Sequence, residues 1–123
     1  MVKQLGISME LANGKTREYI IRDKIGITIG RITIIDISKE NKYCLARIKF
    51  YRHDYDGVQF LQETLKLFIA ALFKNDNIYK INIIVDEEIS TSPFTNLGFT
   101  LEGIITSSIY YNKIYKNELF IIN

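Results

Sequence analysis

The sequence predicts an α+β fold: a mixed, mostly antiparallel sheet with one long helix and one short helix. Two observations lead to this class. Residues 58–74 repeat apolar side chains at helical spacing, directly after a polar loop. Residues 80–85 have the β-branched composition of a strand covered on both faces. Because a right-handed crossover joins the strands around a long helix, these two strands are expected to be parallel neighbours. The apolar positions of the predicted helix are Leu61, Leu65, Phe68, Ile69, Leu72 and Phe73.

Four strand-like segments precede the long helix, at residues 7–12, 16–22, 25–37 and 43–51. The first two flank Asn13-Gly14, a pair that favours a hairpin because both residues accept positive φ. Gly30 interrupts the third segment and indicates a bulge. In the fourth, apolar side chains share one face and mostly polar ones share the other. These four segments are expected to pair as antiparallel neighbours.

The remaining elements follow the buried strand. A short helix is predicted at residues 93–97, with Pro93 near its first position and Gly98 as its C-terminal glycine. Residues 99–110 and 115–122 are predicted to form a closing hairpin that turns around Asn112-Lys113. Residues 1–123 are expected to form a single domain, as their length suggests.

Composition excludes several classes of function. The formal net charge is +2 and the cations are scattered, whereas nucleic-acid-binding domains usually carry a clustered basic face. The single cysteine, Cys44, fits a reducing cytoplasm and is expected to be buried and inert. The sequence offers no His/Cys cluster for a metal and no apolar run of the ~20 residues that span a bilayer. The abundance of Ile, Lys, Asn and Tyr is typical of AT-rich bacterial genomes.

The polar loop before the long helix is a candidate anion site. A strand that feeds a helix through a loop points backbone N–H groups and a positive dipole end at whatever lies in front. A phosphate is the expected occupant. Arg52 would clamp it or be a solvated cation, and Gly57 would admit it or be an ordinary loop glycine. His53 is a base or, more simply, a surface side chain. Glu87 and Glu88 are bases or exposed turn carboxylates at the functional edge of the sheet.

The end of the chain carries a resemblance to a known family. Leu97-Gly98-Phe99, followed by Glu102-Gly103, resembles a signature of the GNAT family of N-acetyltransferases. The residues after it resemble the closing hairpin of the ribosomal-protein and spermidine acetyltransferase branch. The resemblance covers residues 17–123.

The resemblance implies a site and a reaction. The two central parallel strands splay apart, and acetyl-CoA, as co-substrate, places its pantetheine arm in the gap and its pyrophosphate on the following loop and helix. The acceptor is an amine: a protein N-terminus, a polyamine or a small amine. Glu87 is the candidate base, and Phe94 occupies the usual position of a tyrosine acid. The residues that would contact acetyl-CoA are Ile48, Phe50, Arg52, Tyr55, Gly57 and Val58.

The sequence also departs from the family pattern. The pyrophosphate loop, which begins with Gln or Arg and carries two small residues, matches only at Arg52 and Gly57, with Tyr55 in place of the first glycine. In an alternative register, Gln59 and Leu61 take the glycine positions. The usual N-terminal helices are replaced by the predicted hairpin. Two functions therefore stay open: N-acetyl transfer, or a catalytically impaired binding module that uses an exposed apolar sheet face, in a homodimer for example.

Overall fold

The computed structural model describes residues 6–14, 17–51, 58–86, 89, 91–106 and 111–118. These residues form one sheet of seven strands and two helices. The strands are β1 (Ser8–Asn13), β2 (Arg17–Arg22), β3 (Thr28–Ser38), β4 (Tyr43–Phe50), β5 (Lys80–Asp86), β6 (Thr100–Thr106) and β7 (Tyr111–Glu118), and the helices are α1 (Val58–Asp76) and α2 (Ser92–Asn96).

The order of the strands across the sheet is β1-β2-β3-β4-β5-β7-β6. Only the β4–β5 pair is parallel; the other five pairs are antiparallel. The predicted α+β class and the parallel pairing around the long helix are thus confirmed. The hairpin predicted at Asn13-Gly14 is also present, with Asn13 of β1 paired to Arg17 of β2.

Gly30 marks the bulge that the sequence predicts. The register between β2 and β3 shifts between Ile21 and Arg22, directly beside Gly30. A Cβ atom at this glycine would lie 2.6 Å from the carbonyl oxygen of Lys49. Glycine is therefore required by the close approach of β4, and the bulge lets β3 follow its neighbour there.

The core lies between one face of the sheet and the two helices. Leu61, Leu65, Phe68 and Leu72 of α1 are fully buried, as their spacing predicts, and Ile69 packs at the edge of the same core. Phe73, which the helical stripe also includes, is instead 40% exposed. It lies one residue beyond the buried stripe, and its ring makes an edge-on contact with Tyr79 at a centroid distance of 5.4 Å.

The opposite face of the β1–β3 part of the sheet carries charged pairs, although the same strands also expose Leu11 and Ile35, at 40% and 49%. Glu18 and Arg31 lie on the side away from the buried Tyr19 and Ile32, and their side chains approach to 3.9 Å. Arg22 approaches Glu10 on the neighbouring strands at the same distance. These pairs make part of the face polar, and the expectation of an exposed apolar sheet face stays a prediction.

The closing hairpin is present, but the prediction that it turns at Asn112-Lys113 is wrong. Asn112 and Lys113 lie within β7, where they pair with Ile105 and Ile104 of β6. The same two residues pair with Asp86 and Val85 on the other side. Because β7 is held between two strands, its position is set by distant residues and not by the local turn preference of Asn112-Lys113. The connection from β6 to β7 falls at residues 107–110, outside the described residues.

None of the helices in the described part of the chain combines the length and the low polarity that a bilayer crossing requires.

Candidate functional site

The parallel pair of strands opens at one end. The β4–β5 ladder runs from Tyr43↔Lys80 to Arg47↔Ile84 and stops there. Each strand continues beyond this point, β4 to Phe50 and β5 to Asp86. Both remain paired to their other neighbours, since Phe50 pairs with Gly30 and Asp86 pairs with Asn112. The two strands therefore diverge, and a gap opens between them beside residues 48–50; we call this gap the split.

Backbone groups of β4 face the split. Tyr51 donates its N–H to the carbonyl of Ile29, 2.9 Å away, so the backbone of Tyr51 points toward β3. Backbone directions alternate along a strand, so Ile48 and Phe50 point their groups to the other side, toward β5. Beyond the pair Arg47↔Ile84 the ladder offers no β5 partner to the carbonyl of Ile48 or to the N–H and carbonyl of Phe50. These groups form a short row of donors and acceptors that face the split.

The long helix begins close to this row along the chain. α1 starts at Val58, eight residues after the end of β4, and its first turn contains no acidic side chain. Its N-terminal N–H groups and its dipole therefore favour an anion. Four of the residues singled out by the sequence, namely Arg52, Tyr55, Gly57 and Glu87, lie outside the described residues, as do His53 and Glu88. Their roles remain predictions.

The predicted contact residues on β4 have different environments. Ile48 is 1% exposed and belongs to the core, whereas Phe50 is half-buried and packs against it. The side chain of Ile48 thus fixes the strand, and its backbone faces the split. A ligand in the split would accordingly meet main-chain polar groups beside apolar side chains.

The short helix holds Phe94 in the core. Phe94 is fully buried and meets the ring of Phe99 edge-on at 5.6 Å. Pro93 occupies the start of α2, and Gly98 ends it with φ of +85°, a conformation that favours glycine. The N–H of Phe99 bonds the carbonyl of Phe94 at 2.8 Å. The turn at Gly98 therefore folds the family-like segment back and sets the two rings against each other.

The opposite end of the β4–β5 pair is closed by an ion pair. Arg17 of β2 donates to a carboxylate oxygen of Asp76 at 2.5 Å and to the hydroxyl of Tyr19 at 3.1 Å. The hydrogen bond that Arg17 donates to Asp76 raises the pKa of Arg17 above its ordinary value. Burial raises the pKa of the nearby Cys44 thiol to about 12, so this cysteine is not a nucleophile at neutral pH.

Sequence reasoning missed one buried polar residue of α1. Thr64 lies on the sheet-facing side of α1, is 1% exposed, and its hydroxyl has no hydrogen-bond partner. The available signal is its position: it falls three residues after Leu61 and four before Phe68, where the apolar stripe would place another apolar residue.

Comparison with solved structures decides the family. The N-terminal domain of ribosomal-protein-alanine acetyltransferase from Clostridium acetobutylicum ATCC 824 is 44% identical to this chain, with a TM-score of 0.84. The match covers 96% of this chain and 95% of that one. The chain belongs to the GNAT family of N-acetyltransferases. The resemblance carried by residues 97–103 is thereby confirmed, and the split lies where that resemblance implies that the central strands of GNAT proteins part.

Two more distant structures share the GNAT fold with this chain. Ribosomal-protein-S5-alanine acetyltransferase from Vibrio fischeri is 16% identical, with a TM-score of 0.68 over 88% of this chain and 64% of that one. Dodecameric spermidine N-acetyltransferase from Vibrio cholerae is 18% identical, with a TM-score of 0.64 over 83% of this chain and 63% of that one. No protein-family model and no curated protein matches the sequence.

Proposed function

We propose that this protein transfers an acetyl group from acetyl-CoA to an amine. The observation that carries the proposal is the split: the backbone groups of Ile48 and Phe50 face a gap between two diverging strands. A pantetheine arm carries amides that hydrogen-bond to such a strand edge as another strand would. The pyrophosphate of the same molecule would then reach the N-terminal end of α1, where the helix dipole and the loop with Arg52 and Gly57 favour an anion.

The reaction needs few groups from the protein. The neutral amine attacks the thioester carbonyl, a tetrahedral intermediate forms, and the C–S bond breaks to release coenzyme A as a thiolate. The amine nitrogen loses one proton, for which Glu87 is the proposed acceptor, and the thiolate gains one from water. Phe94 cannot supply that proton. A thiol pKa near 8.5 makes the thiolate an acceptable leaving group, so slow turnover is expected without an acid.

The acceptor remains an amine of unspecified class: a protein N-terminus, a polyamine or a small amine. The GNAT relatives that match this chain act on ribosomal-protein alanine or on spermidine, as their names state. The alternative of a binding module depends on an apolar uncovered face, and strands β1–β3 carry both charged pairs and the exposed apolar side chains of Leu11 and Ile35. The observation that favours acetyl transfer is the split. We therefore place acetyl transfer first and, with the single buried cysteine in mind, propose a reducing cytoplasmic setting.

Binding of acetyl-CoA tests the proposal directly. Acetyl-CoA at 100 times its dissociation constant should stabilise the protein by about 2.7 kcal/mol, which a thermal-shift assay detects. Titration of the Arg52→Ala variant should give a weaker affinity, because we propose that this cation contacts the pyrophosphate. Arg22→Ala is the matched control, since Arg22 approaches Glu10 on the charged face. Equal affinities of parent and Arg52→Ala would remove Arg52 from the site, and no shift with the parent would overturn acetyl-CoA binding altogether.

A further inference from the structure

Thr64 carries the least explained polar group in the described part of the chain. Its hydroxyl is buried and unpartnered, although buried polar atoms nearly always find a hydrogen bond. A threonine within a helix commonly bonds the carbonyl three or four residues earlier, and this one does not. The other unpartnered atom, the Nε of Arg17, belongs to a guanidinium that already bonds Asp76 and Tyr19. Thr64 has no such alternative.

Helix geometry places Thr64 beside the split. The segment that follows α1 is fixed at the start of β4, because Tyr79 and Lys80 both donate to the carbonyl of Lys42, at 3.0 and 2.9 Å. Thr64 precedes Asp76 by 12 residues. A helical rise of about 1.5 Å per residue makes this distance about 18 Å. At about 3.3 Å per residue, the same distance along β4 runs from Tyr43 to the level of Ile48.

The phase of the helix turns Thr64 toward the sheet at that level. Leu61 and Phe68, which share its face, are both fully buried. Gln62, two residues earlier, lies on another side of the helix, where it accepts a hydrogen bond from Asn96 of α2 at 3.4 Å. The hydroxyl thus lies on the sheet side of the second turn of α1, away from the contact with α2.

We propose that the hydroxyl of Thr64 hydrogen-bonds the thioester end of the pantetheine arm, and that Thr64 is a positioning residue for the acyl donor. The inference rests on the proposed function. The backbone groups of Ile48 and Phe50 would hydrogen-bond the polar groups on only one side of the pantetheine arm. The amide and carbonyl groups on the other side of the arm would lie between apolar side chains. They need hydrogen-bond partners there, because burying them unpaired is unfavourable. A hydroxyl serves either kind, since it both donates and accepts.

Two substitutions of Thr64 separate this role from a packing role. Thr64→Val keeps the shape and removes the hydroxyl, whereas Thr64→Ser keeps the hydroxyl and removes a methyl group. In the absence of ligand, Thr64→Val should melt at or above the temperature of the parent, because no hydrogen bond is lost. Its dissociation constant for acetyl-CoA should rise about 3- to 10-fold, the worth of one ordinary hydrogen bond. Thr64→Ser should stay within about twofold of the parent.

A second ligand localises the effect. Adenosine 3′,5′-bisphosphate has no pantetheine arm, so parent and Thr64→Val should bind it equally by isothermal calorimetry. Equal affinities for acetyl-CoA would overturn the role of Thr64 and leave the proposed function standing. A lower melting temperature of ligand-free Thr64→Val would mean that the hydroxyl already has a partner, and would also overturn it. A parent protein that does not bind acetyl-CoA would overturn both proposals.

Discussion

The two ends of the β4–β5 pair differ in how far their polar groups are satisfied. At the closed end, Arg17 bonds Asp76 and Tyr19, and the carbonyl of Lys42 accepts two N–H groups. At the split, the hydroxyl of Thr64 has no partner and the ladder leaves backbone groups of β4 facing a gap. Unsatisfied groups lower stability, so a fold retains them mainly where a ligand completes them. This difference is what we expect if one end serves stability and the other end binds the proposed ligand.

Breaking the ion pair should have the largest effect on the closed end. Asp76→Asn removes the carboxylate from a side chain that is 7% exposed and leaves the guanidinium of Arg17, 24% exposed, without its anion. We expect a loss of about 1–3 kcal/mol in the free energy of unfolding, measured by urea denaturation. Glu10→Gln is the matched control, because its pair with Arg22 is longer, at 3.9 Å, and more exposed. The control should lose less than about 1 kcal/mol. If Asp76→Asn and Glu10→Gln lose similar amounts of unfolding free energy, the buried ion pair contributes no more to stability than an exposed one.

The sequence predicts the strands and helices at both ends of the β4–β5 pair. It does not predict which end is closed and which end opens into the split. The order of strands and helices follows from local periodicity, and Leu61, Leu65, Phe68 and Leu72 are buried as their spacing requires. The residue at which the parallel ladder stops does not follow, because it depends on which neighbour holds each strand beyond Arg47 and Ile84. The pairing of Arg17 with Asp76 joins residues 59 positions apart, which no local pattern reveals.

Two failures have the same physical origin. Asn112-Lys113 has turn-like composition, yet both residues are held in a strand by β5 and β6. Phe73 continues the apolar stripe of α1, yet it lies beyond the core and contacts Tyr79. In each case contacts distant in sequence override a local preference. The family signature around Gly98 succeeded because it combines a φ of +85° with a neighbouring buried ring pair, and both are local features.

The pH dependence of stability provides a second test of the closed end. Cys44 has a pKa of about 12 in the folded protein, against about 8.5 for an unfolded thiol. Above the unfolded pKa, the unfolded chain loses a proton that the folded chain keeps. The contribution of this thiol is therefore complete below about pH 8.5 and is lost as the pH rises toward 12. From pH 8 to pH 10, the parent should lose about 1–2 kcal/mol more stability than Cys44→Ala. Parallel pH profiles of the two proteins would contradict the burial of this thiol.

The smallest effect is expected at the split, from Phe94→Tyr. The resemblance implies that Phe94 takes the position of the family's tyrosine acid, and its ring is buried against Phe99. A tyrosine adds one hydroxyl at nearly the same volume. A positioned general acid contributes about 10²–10⁴-fold to a rate, but a hydroxyl without adapted neighbours should give only about tenfold, or about 1.4 kcal/mol in the barrier. The measurement is release of free thiol from acetyl-CoA with polyamines and N-terminal peptides as acceptors. Phe99→Tyr serves as the control for adding a hydroxyl to the same ring pair. Fast turnover by the parent that Phe94→Tyr leaves unchanged would show that protonation of the thiolate does not limit this protein, and that the split needs no acid beyond water.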